Sequence, residues 1–216
     1  MIDLHTHTLL SDGVLVPAEH IRRAEVHGYR ILGLADHADL ATMETVIPIV
    51  RAAAARENEL GRMTVLAGVE FTHIRPEHFA EAVPAARALG AQVVIAHGET
   101  IVEPVEPGTN RAAIQAGVDI LAHPGLIAPE DVKLAAERGV RLEISGRAGH
   151  CLTNGHIARL ARDAGAALIF GSDTHAPGDF HTREQAERVC RGAGLSADEV
   201  AAMFSAAEQF AREIRS

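Results

Sequence analysis

Residues 120–144, ILAHPGLIAPEDVKLAAERGVRLEI, decide the fold. Ile120–His123 is a short aliphatic run closed by Pro124, as a buried parallel strand is. Pro129 suits a first helical position, and Pro129–Arg138 reads as a helix stopped by Gly139, a left-handed cap. Arg141–Ile144 is then a second aliphatic run. Strand, helix and strand in this order make a crossover unit of a parallel sheet.

The same punctuation repeats in both directions. Candidate strands are Ile2–His5, Ile31–Asp36, Val65–Phe71, Val93–His97, Ile120–His123, Arg141–Ile144 and Leu168–Gly171. Helical segments fall between them, at residues 17–27, 41–60, 78–89, 110–116, 129–138, 155–164 and 182–190, and Ala197–Ile214 closes the chain behind Ser196. Pro48 is expected to start or kink the second helix. Seven alternating units leave an open doubly wound sheet or a (β/α) barrel. No glycine-rich dinucleotide or phosphate loop follows any strand, which favours the barrel. No linker or composition break interrupts the pattern, so residues 1–216 read as a single domain.

Composition narrows the function. The 216 residues carry 20 Lys and Arg against 29 Asp and Glu, a formal charge of −9, which excludes a broad basic surface for duplex nucleic acid. Two cysteines are too few for a disulfide framework. With no apolar membrane-length stretch and no signal-like start, a soluble cytoplasmic protein is expected. The unusual entry is histidine, with 13 residues.

Those histidines lie where a barrel keeps its chemistry, at the C-terminal ends of strands. The first strand ends in His5-Thr6-His7, followed by Asp12. The second delivers Asp36-His37, the third Glu70, the fourth His97, the fifth His123 and the seventh Asp173-Thr174-His175. Residues two apart on a strand face the same way, so His5 and His7 can share an ion, as can Asp173 and His175. Buried unpaired carboxylates are expensive, and imidazole with carboxylate suits Zn, Mn or Fe better than Mg or Ca.

The set Asp3-Leu4-His5-Thr6-His7, Ser11-Asp12-Gly13, Ala35-Asp36-His37, Gly68-Val69-Glu70, Ala96-His97-Gly98, Ala122-His123-Pro124 and Ser172-Asp173-Thr174-His175 resembles the PHP (polymerase and histidinol phosphatase) family. The resemblance implies a distorted seven-stranded (β/α)7 barrel with a trinuclear centre. His5, His7, Glu70 and Asp173 would hold one cation, His97 and His123 a second bridged by Glu70, and Asp12, His37 and His175 a third. It further implies phosphoester hydrolysis by a metal-activated water held by Glu70, Asp173 and His175, with two or three divalent ions (Mn, Zn or Fe) as cofactors.

Other residues have two readings each. Arg147, after the sixth strand, is a phosphate fork or a solvated loop arginine; Arg111 is a weaker candidate. The loop Thr100–Thr109, with Glu103, folds over the mouth or is a stiff surface connection. Cys151 reads as a buried or partly buried thiol rather than a nucleophile. Glu99 is a candidate partner of the ligands, and Glu143, if it faces the interior, needs a partner. His20 and His27 belong to the first helix. His73, His78, His150, His156 and His181 sit in loops or helix starts on the side of the chemistry and either line a pocket or, for most, are solvated loop histidines.

The expected activity is hydrolysis of a small phosphomonoester such as histidinol phosphate or a nucleotide or sugar monophosphate, with no membrane and no nucleic-acid partner. The competing readings are a 3′-end nuclease, disfavoured by few aromatics for stacking, and a non-catalytic metal-stabilised scaffold.

Overall fold

The computed structural model describes residues 1–215. Its elements follow the expected alternation: β1 (Ile2–Asp3), α1 (Pro17–Val26), β2 (Ile31–Leu34), β3 (His37–Ala38), α2 (Met43–Leu60), β4 (Thr64–Phe71), α3 (Phe79–Leu89), β5 (Val93–His97), α4 (Thr109–Ala116), β6 (Ile120–Ala122), α5 (Pro129–Arg138), β7 (Arg141–Ser145), α6 (Asn154–Ala164), β8 (Leu168–Gly171), α7 (Arg183–Gly192) and α8 (Ala197–Arg215). The strands run parallel in the order β1-β2-β4-β5-β6-β7-β8, with β3 beside β4. The result is a nearly closed seven-stranded barrel ringed by helices, with β2 and β3 as two pieces of the second strand.

Two departures from the expected strand lengths shape the site. β1 ends at Asp3, and the chain beyond it stays beside the second strand, with Ala35 N donating to Thr6 O at 2.8 Å, while its other edge meets the last strand. Asp173 N donates to His5 O at 3.0 Å, His7 N donates to Thr174 O at 2.9 Å, and Thr6 bridges Thr174 in parallel. That seam closes the barrel at its C-terminal end. The second strand breaks at Ala35-Asp36, where the Asp36 carboxylate turns to accept from Thr8 N at 2.7 Å and Ser11 Oγ at 2.9 Å, fixing the β1–α1 loop.

Pro48 neither starts nor stops α2 but lies in its second turn. There it removes one amide hydrogen bond, a loss the helix absorbs because Val46, Ile47 and Val50 are buried against the barrel. The glycine caps form as expected: Gly139 and Gly165 sit at φ 71° and 70°, ending α5 and α6 in the left-handed region. Inside, Leu4, Leu32, Leu34, Leu66, Ile95, Leu121 and Leu142 are fully buried. Truncating any of them to alanine costs about 2–5 kcal/mol. Met203, Phe204 and Phe210 of α8 are buried too, and the Arg141 guanidinium lies 3.6 Å over the Phe210 ring. No helix among the described residues is long and apolar enough to cross a membrane.

Candidate metal centre

All nine residues expected at the strand ends come together at the C-terminal mouth of the barrel. His5, His7, Glu70, His123 and Asp173 form the floor, and all five are buried. The register explains the convergence: Glu70 of β4 sits beside His37 of β3 and Ile95 of β5, while His97 of β5 is level with Ala122, one residue before His123. Two floor residues take backbone conformations that L side chains avoid: His123 has φ 27° and Asp173 φ 54°. Each such position costs about 1–3 kcal/mol and persists where the surroundings over-determine it.

The distances within the floor are those of donors sharing an ion rather than of hydrogen-bonded pairs. His5 Nε2 and His7 Nε2 lie 3.3 and 3.5 Å from Glu70 Oε2, and His7 Nε2 lies 3.2 Å from Asp173 Oδ1. His123 Nε2 lies 3.5 Å from Glu70 Oε1. Two ligands on one tetrahedral ion with bonds of about 2.0–2.1 Å stand roughly 3.3 Å apart. His5 Nε2, both ring nitrogens of His7, both Glu70 oxygens, His123 Nδ1 and Asp173 Oδ1 are buried with no hydrogen-bond partner in the protein. Burying that many polar atoms without hydrogen bonds is costly, and the donor set fits a cluster of divalent ions.

Electrostatics agree. Burial pushes the His5 imidazole down, but Glu143, Glu70 and Asp173 outweigh it and hold its pKa well above the ordinary value. Burial likewise opposes His37, yet Glu70 and Asp12 lift it to about 10. His7, where burial dominates over Asp173, drops to about 3. For Glu70, burial is outweighed by His5 and His37, leaving the carboxyl well below the carboxylate range, and Asp173 is lowered in the same way by His5 and His7. Protons on His5 and His37 balance the carboxylates in this form, and cations compete for the same nitrogens.

Around the floor stands a more open rim. Asp12, 55% exposed, places Oδ1 3.0 Å from His175 Nε2 and 3.4 Å from His37 Nε2. With His7 these three form one group of closely spaced donors. Arg147, one-third exposed, donates from Nη1 to the Asp173 carbonyl at 3.1 Å, and its Nε lies 3.6 Å from Asp173 Oδ2. It borders both a 250 Å³ cavity over the histidines and an adjoining 530 Å³ cavity beside Gly146, Ser172 and His181.

Supporting residues came out differently from expectation in several places. Glu143 does face the interior and has its partner: Oε2 accepts from His5 Nδ1 at 2.5 Å, fixing which nitrogen turns to the centre. An added Cβ on Gly171 would collide with that carboxylate, so this position needs glycine. Glu99 is not a partner of the ligands; its Oε1 accepts from Gly108 N at 3.0 Å and Asn110 N at 2.9 Å, fastening the ends of a loop. Arg111 pairs with Asp131 on the surface at 2.6 Å, away from the mouth. His150 is not solvated: it is 4% exposed and stacks on His123 with ring centroids 4.1 Å apart. The Thr100–Thr109 loop covers the mouth, with Glu103 3.1 Å from His97 Nε2, 3.2 Å from His73 Nε2 and 3.4 Å from His150 Nε2. Of the two readings of these loop histidines, His150 takes the pocket-lining one, beneath the Thr100–Thr109 loop.

The remaining histidines serve structure. His20 is fully buried against Phe180 at 4.9 Å, His27 stacks on the same ring at 5.4 Å, and His156 Nε2 donates to Ile127 O at 2.9 Å. His181 Nδ1 donates to Asp179 O at 2.9 Å, and His78 ends a short turn at Pro76–His78. Cys151 is partly buried, without a disulfide.

Fold and site together define a parallel (β/α)7 barrel with a histidine–carboxylate centre at the C-terminal ends of its strands. The chain is 44% identical over 203 residues to an uncharacterized protein of Methanocaldococcus jannaschii, covering 92% of each, and it belongs to that protein's family. A probable phosphatase of Edwardsiella ictaluri is 29% identical over 214 residues, 87% of this chain and 84% of that one. A 5′-3′ exoribonuclease of Haemophilus influenzae is 34% identical over 83 residues, only 35% of this chain and 30% of that protein. No protein-family model matches the sequence. Among solved structures, a chain of archaeal ribonuclease P with mature tRNA shares the fold with a TM-score of 0.74 at 15% identity, covering 99% of this chain and 91% of that one. A Bifidobacterium adolescentis protein described as a metal-dependent phosphoesterase superposes with a TM-score of 0.51 at 16% identity, covering 91% and 97%.

Proposed function

We propose that the chain is a metal-dependent phosphoesterase acting on a small phosphomonoester, of the size of histidinol phosphate or a nucleotide or sugar monophosphate. The observation that carries this reading is the convergence of buried, unpartnered nitrogen and oxygen atoms of His5, His7, Glu70, His123 and Asp173 beneath an arginine. The relative named probable phosphatase supports the same class.

His5, His7, Glu70 and Asp173 would hold one cation, Glu70, His97 and His123 a second, and Asp12, His37 and His175 a third. When bound, such ions lower the pKa of a water toward neutrality and offset charge on phosphoryl oxygens. The chain's own groups do the rest. Glu143 keeps His5 in one tautomer, and Asp36 pins the loop that carries Asp12. Glu70, Asp173 and His175 hold the attacking water in place, and its proton leaves to solvent. Arg147, at the edge of both cavities, forks onto non-bridging phosphoryl oxygens and draws the substrate to the floor.

A second reading, cleavage of a phosphodiester in a short nucleic-acid strand, is favoured by the exoribonuclease relative alone. A turnover screen with Mn²⁺, Zn²⁺ or Fe²⁺ separates the two, using histidinol phosphate, nucleotide and sugar monophosphates and a single-stranded oligonucleotide. Cation-dependent release of phosphate from a monoester, absent in Asp173→Ala, is expected. Strand shortening without monoester turnover supports the second reading. Two or three bound ions per chain with no turnover of anything would overturn both.

A further inference from the structure

A third imidazole closes on His97 and His123 from outside the expected ligand set. His97, His123 and His150 offer nitrogens within 4.8 Å of one another, and all three side chains are buried. His97 Nδ1 faces the Gly98 carbonyl at 3.1 Å, which only accepts, so Nδ1 carries the hydrogen and Nε2 presents a lone pair. His150 pairs through Nδ1 with Thr100 Oγ1 at 2.8 Å, which leaves Nε2 turned to the centre. His123 Nδ1 is buried with no partner. Above them hangs Glu103, its two oxygens 3.1 Å from His97 Nε2 and 3.4 Å from His150 Nε2, again the spacing of donors on one ion.

The loop that delivers Glu103 is a built element. Glu99 fastens its base to Gly108 and Asn110, Thr100 in it orients His150, and Val102 lies over Gly149 beside His150. We propose that His150 and Glu103 join Glu70, His97 and His123 around the second cation, so that the bound ion fastens the 98–108 loop over the mouth. This rests on the metal-dependent reading above and extends it. The second cation becomes the latch of a cover and not only a reactant in hydrolysis, and a bound substrate meets a mouth already closed on this side. Three imidazoles beside carboxylates favour Zn²⁺, Co²⁺ or Fe²⁺ over Mg²⁺.

The test is a Co²⁺ titration of the parent, His150→Ala, Glu103→Gln and Thr100→Val. It is followed by visible absorption and metal counting, with hydrogen exchange of the loop amides in parallel. The parent should bind the second equivalent more tightly than His150→Ala. Glu103→Gln and Thr100→Val should bind the same ion about 10–100-fold more weakly. Cation should slow exchange across residues 100–108 in the parent and not in Glu103→Gln. If His150→Ala fails to fold by circular dichroism, Glu103→Gln on its exposed loop decides the matter alone. Equal stoichiometry and affinity in all four proteins, with loop exchange indifferent to cation because the His73–Glu103 pair holds it, overturns the latch and leaves the metal-dependent reading intact. A parent that binds no Co²⁺ overturns both.

Discussion

The floor of the centre and its rim are built from the same residue types but under opposite solvent conditions. His5, His7, Glu70, His123 and Asp173 are sealed, whereas Asp12, Glu103 and Arg147 remain one-third or more exposed. A rim carboxylate without an ion is hydrated at little cost. A floor carboxylate without an ion must borrow protons from His5 and His37, and it leaves several atoms unpaired. The floor therefore demands cations and the rim only accommodates them. On the proposed reading function divides along the same line, with the shared cations below and a third cation, the substrate and the cover above.

The largest effect should come from removing a floor carboxylate. Asp173→Ala is expected to lower kcat/KM by about 10³-fold or more, because several kcal/mol of charge stabilisation leave with the cation. Metal counting and phosphate-release kinetics check it, and an active, metal-replete Asp173→Ala protein would break the comparison outright.

His20 tests burial without a carboxylate. Burial holds its pKa down to about 4, with His175 adding to the effect. The unfolded chain, at about 6.5, takes up its proton first as pH falls. Stability is thus full above about pH 6.5 and drains away down to about pH 4, by roughly 3 kcal/mol. His20→Leu should flatten that part of the profile in denaturant titrations at stepped pH. An unchanged slope would show that the floor histidines carry it instead.

A rim ligand should matter less. Asp12→Asn is expected to remove one cation and reduce turnover about 10–100-fold while the floor keeps its ions. Loss of all bound metal in this variant would erase the distinction between the two layers. Smallest is Arg147→Ala, expected to raise KM about tenfold with kcat nearly unchanged, as uniform grip on phosphate requires. A matching fall in kcat would move Arg147 from binding to transition-state stabilisation.

Much of the floor was legible from local pattern. His5 and His7 alternate at the end of an aliphatic run, and Glu70 lies within one, so period and strand polarity bring them to one mouth. The rim was less legible because its residues sit on connections, where spacing along the chain says little about position. His150 reads as a pocket-lining or solvated loop residue, and the 98–108 loop and the His123 ring bury it. Glu99 and Glu103 are four residues apart on one loop. One fastens that loop's base and the other reaches the histidines.

The sequence by itself determined seven aliphatic runs, the glycine-capped helices between them and the nine ligand-type residues at the strand ends. Those features follow from interactions a few residues in range: alternation along a strand, caps, and breaks at proline and glycine. Only the tertiary structure decided that the first strand, still bonded to the second, closes against the last through Thr6 and Thr174. It also gave Glu143 to His5 and brought Glu103 and His150 to the centre. Each of these joins groups distant in the chain, and which groups meet is set by how the whole barrel closes.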